Sequence, residues 1–244
     1  MMIDNVQIAQ ICARFDGLPA TDALKWAAKT FSGKVVFATS LGAEDQVITD
    51  IIARNHLPIP IATLDTGRLF PETYDLIAAT ERNYSLRIKV FSPPRDELEA
   101  FVAAHGVNAF RSTQELRHEC CRIRKLMSLK RLLAGNDIWI CGLRREQGVT
   151  RGDVSLLARD EVNGLMKLSP LFAWTEEKVW EYIRFWNVPY NPLHDRGFPS
   201  IGCACCTRAV KRTEDVRAGR WWWEAPEHRE CGLHARQARV RELS

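Results

Sequence analysis

Apolar side chains recur at helical spacing over residues 3–15 and 21–31, and the second run opens with Thr21-Asp22 as a cap. Residues 34–39 (KVVFAT) are a short, β-branched run that stops at Ser40-Leu41-Gly42, and a helical pattern follows over 44–54. The alternation then repeats. Residues 60–64 (PIATL) read as a second strand, closed by Asp65-Thr66-Gly67, with Pro71 at the first position of a helix to about residue 84. Residues 86–91 read as a third strand, Ser92 as the cap of a helix to about 104, and 113–133 as a further helical region. Residues 137–141 (DIWIC) give a fourth strand, and TEEKVWEYIRFW from Thr175 gives one more amphipathic helix. Strands alternating with helices require parallel crossovers, so the pattern predicts an α/β fold with a doubly wound, mostly parallel sheet. In such sheets ligands bind beyond the carboxyl ends of the strands. The loops at 40–45, 65–70 and 142–147 each follow a strand and are expected to face one crevice.

Composition narrows the picture. The 244 residues amount to about 1.6 domains at roughly 150 residues each. Residues 1–200, with N-terminal helices in 1–33 and an irregular stretch through Pro189, Pro192 and Pro199, are expected to form one nucleotide-binding domain, and 201–244 a cysteine-bearing tail. Hydrophobic residues at 46% and charged residues at 26% are ordinary globular usage. The formal charge is only +4. Residues 207–244 hold nine Lys/Arg against six Asp/Glu, which points to one local anion site rather than a nucleic-acid-binding face. The opening MMIDNVQIAQICARF lacks the cationic start and apolar core of a signal peptide, and no stretch approaches the roughly 18 apolar residues of a membrane span. The expected location is cytoplasmic, where thiols stay reduced, so the eight cysteines read as ligands, nucleophiles or core before they read as disulfides.

The turn Ser40-Leu41-Gly42-Ala43-Glu44-Asp45 joins a strand to a helix start, where backbone N–H groups and the helix dipole favour an anion. Its bland reading is an ordinary loop capped by Ser40. For Leu64-Asp65-Thr66-Gly67 the bland reading is a tight turn in which Asp65 caps and Gly67 supplies positive φ. On neighbouring strand ends the two loops together point to a nucleotide. Arg144 and Arg145 after the fourth strand suit phosphate or sulfate oxygens, unless they are merely solvated.

Cys120-Cys121 and Cys203-x-x-Cys206 form a four-thiol set suited to tetrahedral zinc or an iron–sulfur cluster, and spacing does not separate the two metals. Adjacent side chains on a regular helix diverge by about 100°, so a shared centre requires the helix to kink or end at the tandem pair. Cys205 lies between the knuckle cysteines, while Cys12 and Cys141 read as core. Cys231 differs. It lies in a polar tail expected to be mobile, followed by Gly232, with Arg217 and Arg220 upstream and His234 downstream. Cationic neighbours increase the nucleophilic thiolate fraction, against the bland reading of an idle surface cysteine. Trp221-Trp222-Trp223 is an apolar block in this charged tail and reads as its anchor on the main domain.

Together SLGAED (40–45), LDTG (64–67), Glu119-Cys120-Cys121-Arg122 with Lys125, SIGCACCTR (200–208), RAGRWWW (217–223) and ECGLH (230–234) resemble the assimilatory adenylyl-sulfate reductases. These are the thioredoxin-dependent, cluster-containing branch of the adenylyl-sulfate and phosphoadenylyl-sulfate reductase family. The resemblance implies a PP-loop type fold with adenosine 5′-phosphosulfate across Ser40 and Gly42 and across Leu64, Asp65, Thr66 and Gly67. Lys125, Arg144, Arg217 and Arg220 would surround the phosphosulfate, with Arg145 able to take the place of Arg144 and His234 as a further contact. Cys120, Cys121, Cys203 and Cys206 would hold a [4Fe–4S] cluster. Cys231 would attack the sulfate sulfur and leave an S-sulfocysteine, from which reduced thioredoxin releases sulfite, in sulfate assimilation and cysteine biosynthesis. A homo-oligomer is compatible with this reading. The thiol at 205 departs from the family pattern. The alternatives are a reductase of the 3′-phosphorylated nucleotide or of both nucleotides, a PP-loop ATP-dependent ligase, and a zinc-knuckle RNA-binding module.

Overall fold

The structure, a computed structural model, describes residues 3–147, 151–211 and 213–225. Two helices, α1 (Asn5–Arg14) and α2 (Ala20–Thr30), precede strand β1 (Val35–Thr39). The chain continues through α3 (Ala43–Arg54), β2 (Ile61–Leu64), α4 (Pro71–Tyr84), β3 (Ile88–Phe91) and α5 (Arg95–His105). Helices α6 (Gln114–Cys121) and α7 (Met127–Leu133) lead to β4 (Ile138–Ile140), then β5 (Leu157–Asp160), β6 (Leu165–Leu168) and α8 (Glu176–Trp186). The strand order is β3-β2-β1-β4-β6-β5, with only the β5–β6 pair antiparallel. Phe37 pairs with Ile61 on one side of β1 and Val36 with Trp139 on the other. Winding therefore reverses at β1, and the crevice at that reversal is where such sheets bind ligands.

Period-two alternation splits the strands between two cores. Val35, Phe37, Ile61, Ile138 and Ile140 pack with Val47, Ile48, Ile51 and Ile52 of α3 and with Leu24 and Ala27 of α2. Their neighbours Val36, Ala62, Trp139 and Cys141 pack instead with Leu129, Leu132 and Leu133 of α7. Helices thus cover both faces, as the alternating pattern predicts.

Two local expectations are corrected. Thr21-Asp22 does not cap α2, which starts at Ala20 behind Pro19; the proline ring already sets φ at −57° and no side chain caps the helix. Ser92 does not cap α5 either: Pro93 and Pro94 keep the chain extended, and the helix begins at Arg95. The β5–β6 hairpin is an addition. Its Asn163-Gly164 turn, with Gly164 at φ +70°, is an ordinary hairpin signal, masked by Arg159, Asp160 and Lys167 within the strands. Trp139 and Lys167 both meet the buried Asp160 carboxylate, at 3.0 and 3.3 Å, and tie this hairpin to the sheet.

Candidate functional site

A cavity of about 810 Å³ opens at the carboxyl ends of β1, β2 and β4. Residues 40–45, Leu64, Thr66 and 142–144 line it, so the three loops do share one crevice. Ser40 does not cap α3; Gly42 stands at the N-cap. Ser40 instead gives its N–H and its hydroxyl to one oxygen of Asp45, both at 2.6 Å. Leu41 is held at φ +62° with its side chain buried, a left-handed conformation that only surrounding packing sustains. Burial pushes the Asp45 carboxyl up to about 6, against the hydrogen bonds from Ser40. Gly142 also donates to this carboxylate, and a Cβ at Gly142 would collide with it. The approach of β4 to α3 therefore requires glycine.

The cations divide by environment. Arg144 is buried, donates to Glu44 at 2.8 Å and to the Trp174 carbonyl at 3.2 Å, and lines the cavity. Arg145 turns away, stacks over Phe172 and donates to the Val154 carbonyl at 2.8 Å. Of the two candidates, Arg144 is the one at the site. Lys125, Arg217 and Arg220 also line the cavity. Arg220 is buried and donates to Ser200 Oγ and to the Ile201 carbonyl, both at 3.3 Å.

The 64–67 turn has two functions. Leu64 and Thr66 face the cavity, whereas Asp65 accepts from the Gly67 N–H at 2.7 Å and from the Tyr74 hydroxyl at 2.8 Å. Gly67 takes φ +68°, so Asp65 and Gly67 build the turn as the bland reading has it. Thr66 Oγ1 lies 3.3 Å from Cys203 Sγ, and Arg124 donates to the Thr66 carbonyl at 2.6 Å.

Cys121 is the last residue of α6, and a π-helical turn, Arg122–Leu126, separates it from α7. Regular winding thus ends at the tandem thiols, as a shared centre would require. Cys120, Cys121, Cys203 and Cys206 share one buried cluster with Phe101, Phe110, Ile123 and Trp221. Burial raises the Cys120 thiol above its ordinary range. Trp221 is 1% exposed and carries three cations over its ring, Arg220 at 4.6 Å, Arg117 at 5.0 Å and Lys125 at 5.9 Å. The Trp221 backbone N–H donates to the Cys206 carbonyl at 3.1 Å, and Thr207 and Arg220 form an antiparallel β-bridge. Arg117, wholly buried, pairs with Glu224 at 2.7 Å; burial works against its charge, and Glu224 holds it protonated. Trp221 therefore anchors residues 217–225 against the cysteines. Cys231 and His234 lie outside the described residues.

Residues 34–209 match the model of the phosphoadenosine phosphosulfate reductase domain. The chain belongs to the phosphoadenosine phosphosulfate reductase family. A relative from Allochromatium vinosum named adenosine 5′-phosphosulfate reductase is 54% identical over 86% of this chain and 82% of its own length. One of the same name from Neisseria meningitidis serogroup B is 52% identical over 81% of each chain. Among solved structures, a phosphoadenylyl-sulfate reductase from Candida auris in complex with phosphate superposes with a TM-score of 0.74 at 27% identity, covering 86% of this chain and 99% of that one. An FMN adenylyltransferase from Candida glabrata, at TM-score 0.53 and 17% identity, shares the fold alone.

Within this reductase-family site, several residues carried no sequence signal of their own. Glu44 stands inside the SLGAED motif, but its partner Arg144 is a hundred residues away. Trp180, His194 and Asp195 line the cavity from α8 and the turn after it. Burial lowers the His194 imidazole, whose ring meets Trp180 edge-on at 5.2 Å. Arg117 and Arg124 flank Cys120 at helical spacing, a signal legible only once the cysteines are taken as facing inward.

The cysteine set passes a direct test for the group that the family resemblance implies. Arg124 Nε and Trp221 Nε1 are buried donors with no hydrogen-bond partner among the described residues, and both belong to residues beside the thiols. Buried donors demand acceptors, and cluster sulfur would supply them. Arg68, Arg117 and Arg124 sit close enough to influence the thiols electrostatically, as an anionic iron–sulfur group requires.

Proposed function

We propose that this protein reduces adenosine 5′-phosphosulfate to sulfite and AMP, with thioredoxin as electron donor, in the cytoplasm. The carrying observation is one of placement. Two cysteine pairs distant in sequence enter one buried cluster, against the cavity wall formed by Lys125, Arg217 and Arg220. Family membership sets aside the ligase and RNA-binding alternatives, and relatives at about half identity carry the adenylyl-sulfate name.

In this reading the adenosine lies across Ser40–Gly42 and Leu64–Thr66, and the phosphosulfate faces Lys125, Arg144, Arg217 and Arg220. The Cys231 thiolate attacks the sulfate sulfur. The bond between that sulfur and the bridging oxygen breaks, its electron pair leaves with AMP, and a sulfonate remains on Cys231. A thiolate of reduced thioredoxin then attacks the Cys231 sulfur, and sulfite departs with the former S–S bonding pair. The second thioredoxin thiol resolves the mixed disulfide and returns Cys231 as a thiol. Two electrons from the dithiol thus account for the reduction of the sulfate sulfur. The cations' function is electrostatic, because negative charge grows on AMP as the bond breaks and fixed donors stabilise it without reorganising. Arg220, held by Ser200 and Ile201, and Arg144, held by Glu44, are fixed in this sense.

Cys120, Cys121, Cys203 and Cys206 would hold the [4Fe–4S] cluster. When bound, it would supply a localised negative field beside the cationic end of the cavity. The test is steady-state sulfite release with reduced thioredoxin, comparing adenylyl sulfate with its 3′-phosphorylated form. Preference for the unphosphorylated nucleotide is expected. Equal or reversed preference would move the assignment to the phosphoadenylyl or dual-specificity alternative.

A further inference from the structure

Cys205 is the one cysteine of the 203–206 knuckle that the ligand set leaves unused. It lies on the short 3₁₀ turn Ala204–Cys206, whose backbone is fixed on both sides. The Ala204 N–H donates to the Arg68 carbonyl at 2.8 Å, and the Cys206 N–H donates to the Cys203 carbonyl at 2.9 Å. Arg111 donates to the Cys205 carbonyl at 3.3 Å, with its guanidinium among the rings of Phe110, Trp222 and Trp223. The turn sends Cys203 and Cys206 into the buried cluster and leaves Cys205 half-buried at its edge. In that position Cys205 Sγ stands 3.7 Å from Cys206 Sγ, within hydrogen-bonding range for two sulfurs.

We propose that Cys205 is a positioning residue for the cluster: not a fifth ligand, but a thiol that donates an S–H···S hydrogen bond to the Cys206 sulfur. The inference rests on the reading that Cys206 ligates iron. A sulfur bonded to iron has given up its proton and can only accept, so the 3.7 Å contact leaves Cys205 Sγ as the donor. Replacing Cys205 as donor is not open to the backbone, whose nearby N–H of Cys206 is already committed to Cys203. Hydrogen bonds to ligand sulfur draw electron density from the iron–sulfur bond, and are one of the means by which proteins adjust such centres. Thr66 supplies the corresponding contact to Cys203, so the added thiol gives both sulfurs of this knuckle a side-chain neighbour.

The test uses full-length protein purified without oxygen, as wild type, Cys205→Ala, Cys205→Ser and Cys206→Ala. Iron and acid-labile sulfide per chain are measured, together with resonance Raman spectra of the Fe–S(Cys) stretches in H₂O and D₂O. Both Cys205 variants are expected to keep wild-type iron, whereas Cys206→Ala loses it. In Cys205→Ala one Fe–S(Cys) stretch should move to higher frequency and its deuterium sensitivity should disappear. Cys205→Ser, which retains a hydroxyl donor, should recover part of the isotope effect. Wild-type spectra in Cys205→Ala with full iron would overturn the hydrogen bond while leaving the cluster reading intact. Loss of iron in both Cys205 variants, with Cys206→Ala retaining it, would make Cys205 the ligand. Wild-type protein that binds no iron would overturn the cluster reading itself, and this inference with it.

Discussion

The Nε–H of Arg144 points at the Glu44 carboxylate across 2.8 Å, so this cation reaches the cavity wall already balanced. Truncating it does more than remove one contact to an anion, because it leaves a largely buried carboxylate facing the nucleotide. Arg144→Ala is expected to weaken nucleotide binding by about 1.5–3 kcal/mol, roughly 10- to 100-fold, the range for a charge-assisted hydrogen bond. Titration calorimetry with adenylyl sulfate on this variant and on Glu44→Gln/Arg144→Ala tests it. The double variant should regain part of the loss, and unchanged affinity in the single variant would remove Arg144 from the site.

Asp45 gives a pH dependence with a definite sign. Its folded-state value, about 6, lies above the ordinary 3.8 because the carboxyl is buried. The native state therefore holds this proton more tightly than the unfolded chain. The associated stability is fully present below about pH 4 and is lost as pH rises through about 6, to a total of about 3 kcal/mol. Urea unfolding across this window should show wild type losing stability relative to Asp45→Asn. Parallel curves would place the Asp45 titration elsewhere.

At Gly142 the limit is steric. A methyl group there meets the Asp45 carboxylate and lies 3.0 Å from Glu44 Cβ. Gly142→Ala should cost about 1–3 kcal/mol in chemical denaturation, as over-packing does, and should weaken nucleotide binding because the 40–45 loop must shift. Wild-type values for both quantities would show that this loop yields without consequence.

Glu224→Ala removes the carboxylate that pairs with the wholly buried Arg117 guanidinium. A loss of about 3–5 kcal/mol is expected, with Glu224→Gln losing less because it still accepts a hydrogen bond. Thermal unfolding of the two variants measures the difference, and equal, small losses would mean that Arg117 finds another partner.

Cys231→Ser should retain nucleotide binding and iron yet form no sulfonate adduct when adenylyl sulfate is added without thioredoxin. Intact-mass measurement decides this. An adduct persisting on the serine variant would assign the nucleophile to another residue.

How much was legible beforehand follows from the range of each interaction. The four parallel strands and their helices are written in local periodicity, and β1, β2, β3 and β4 fall within one or two residues of their expected bounds. The two thiol pairs stand out by residue type and spacing, and the fold brings all four into one buried cluster. What was missed is long-range or compensated. Arg144 and Glu44, Arg117 and Glu224, and Gln46 with the Pro189 carbonyl are pairs a hundred or more residues apart. Neither partner of such a pair announces the other. The β5–β6 hairpin was obscured because Asp160 and Lys167 neutralise each other beside Trp139, an arrangement that no period-two pattern records.

The wide turn at Arg122–Leu126 amounts to one surplus residue wound into an otherwise continuous rod. Excising a single residue there would let the rod close into uniform winding and rotate everything upstream by about 100° relative to Leu129, Leu132 and Leu133, which would stay seated on the sheet. The tandem thiols would swing out of alignment with their partners on the knuckle while the nucleotide-binding scaffold remained whole. A cluster held as proposed would therefore depend on that single residue of winding.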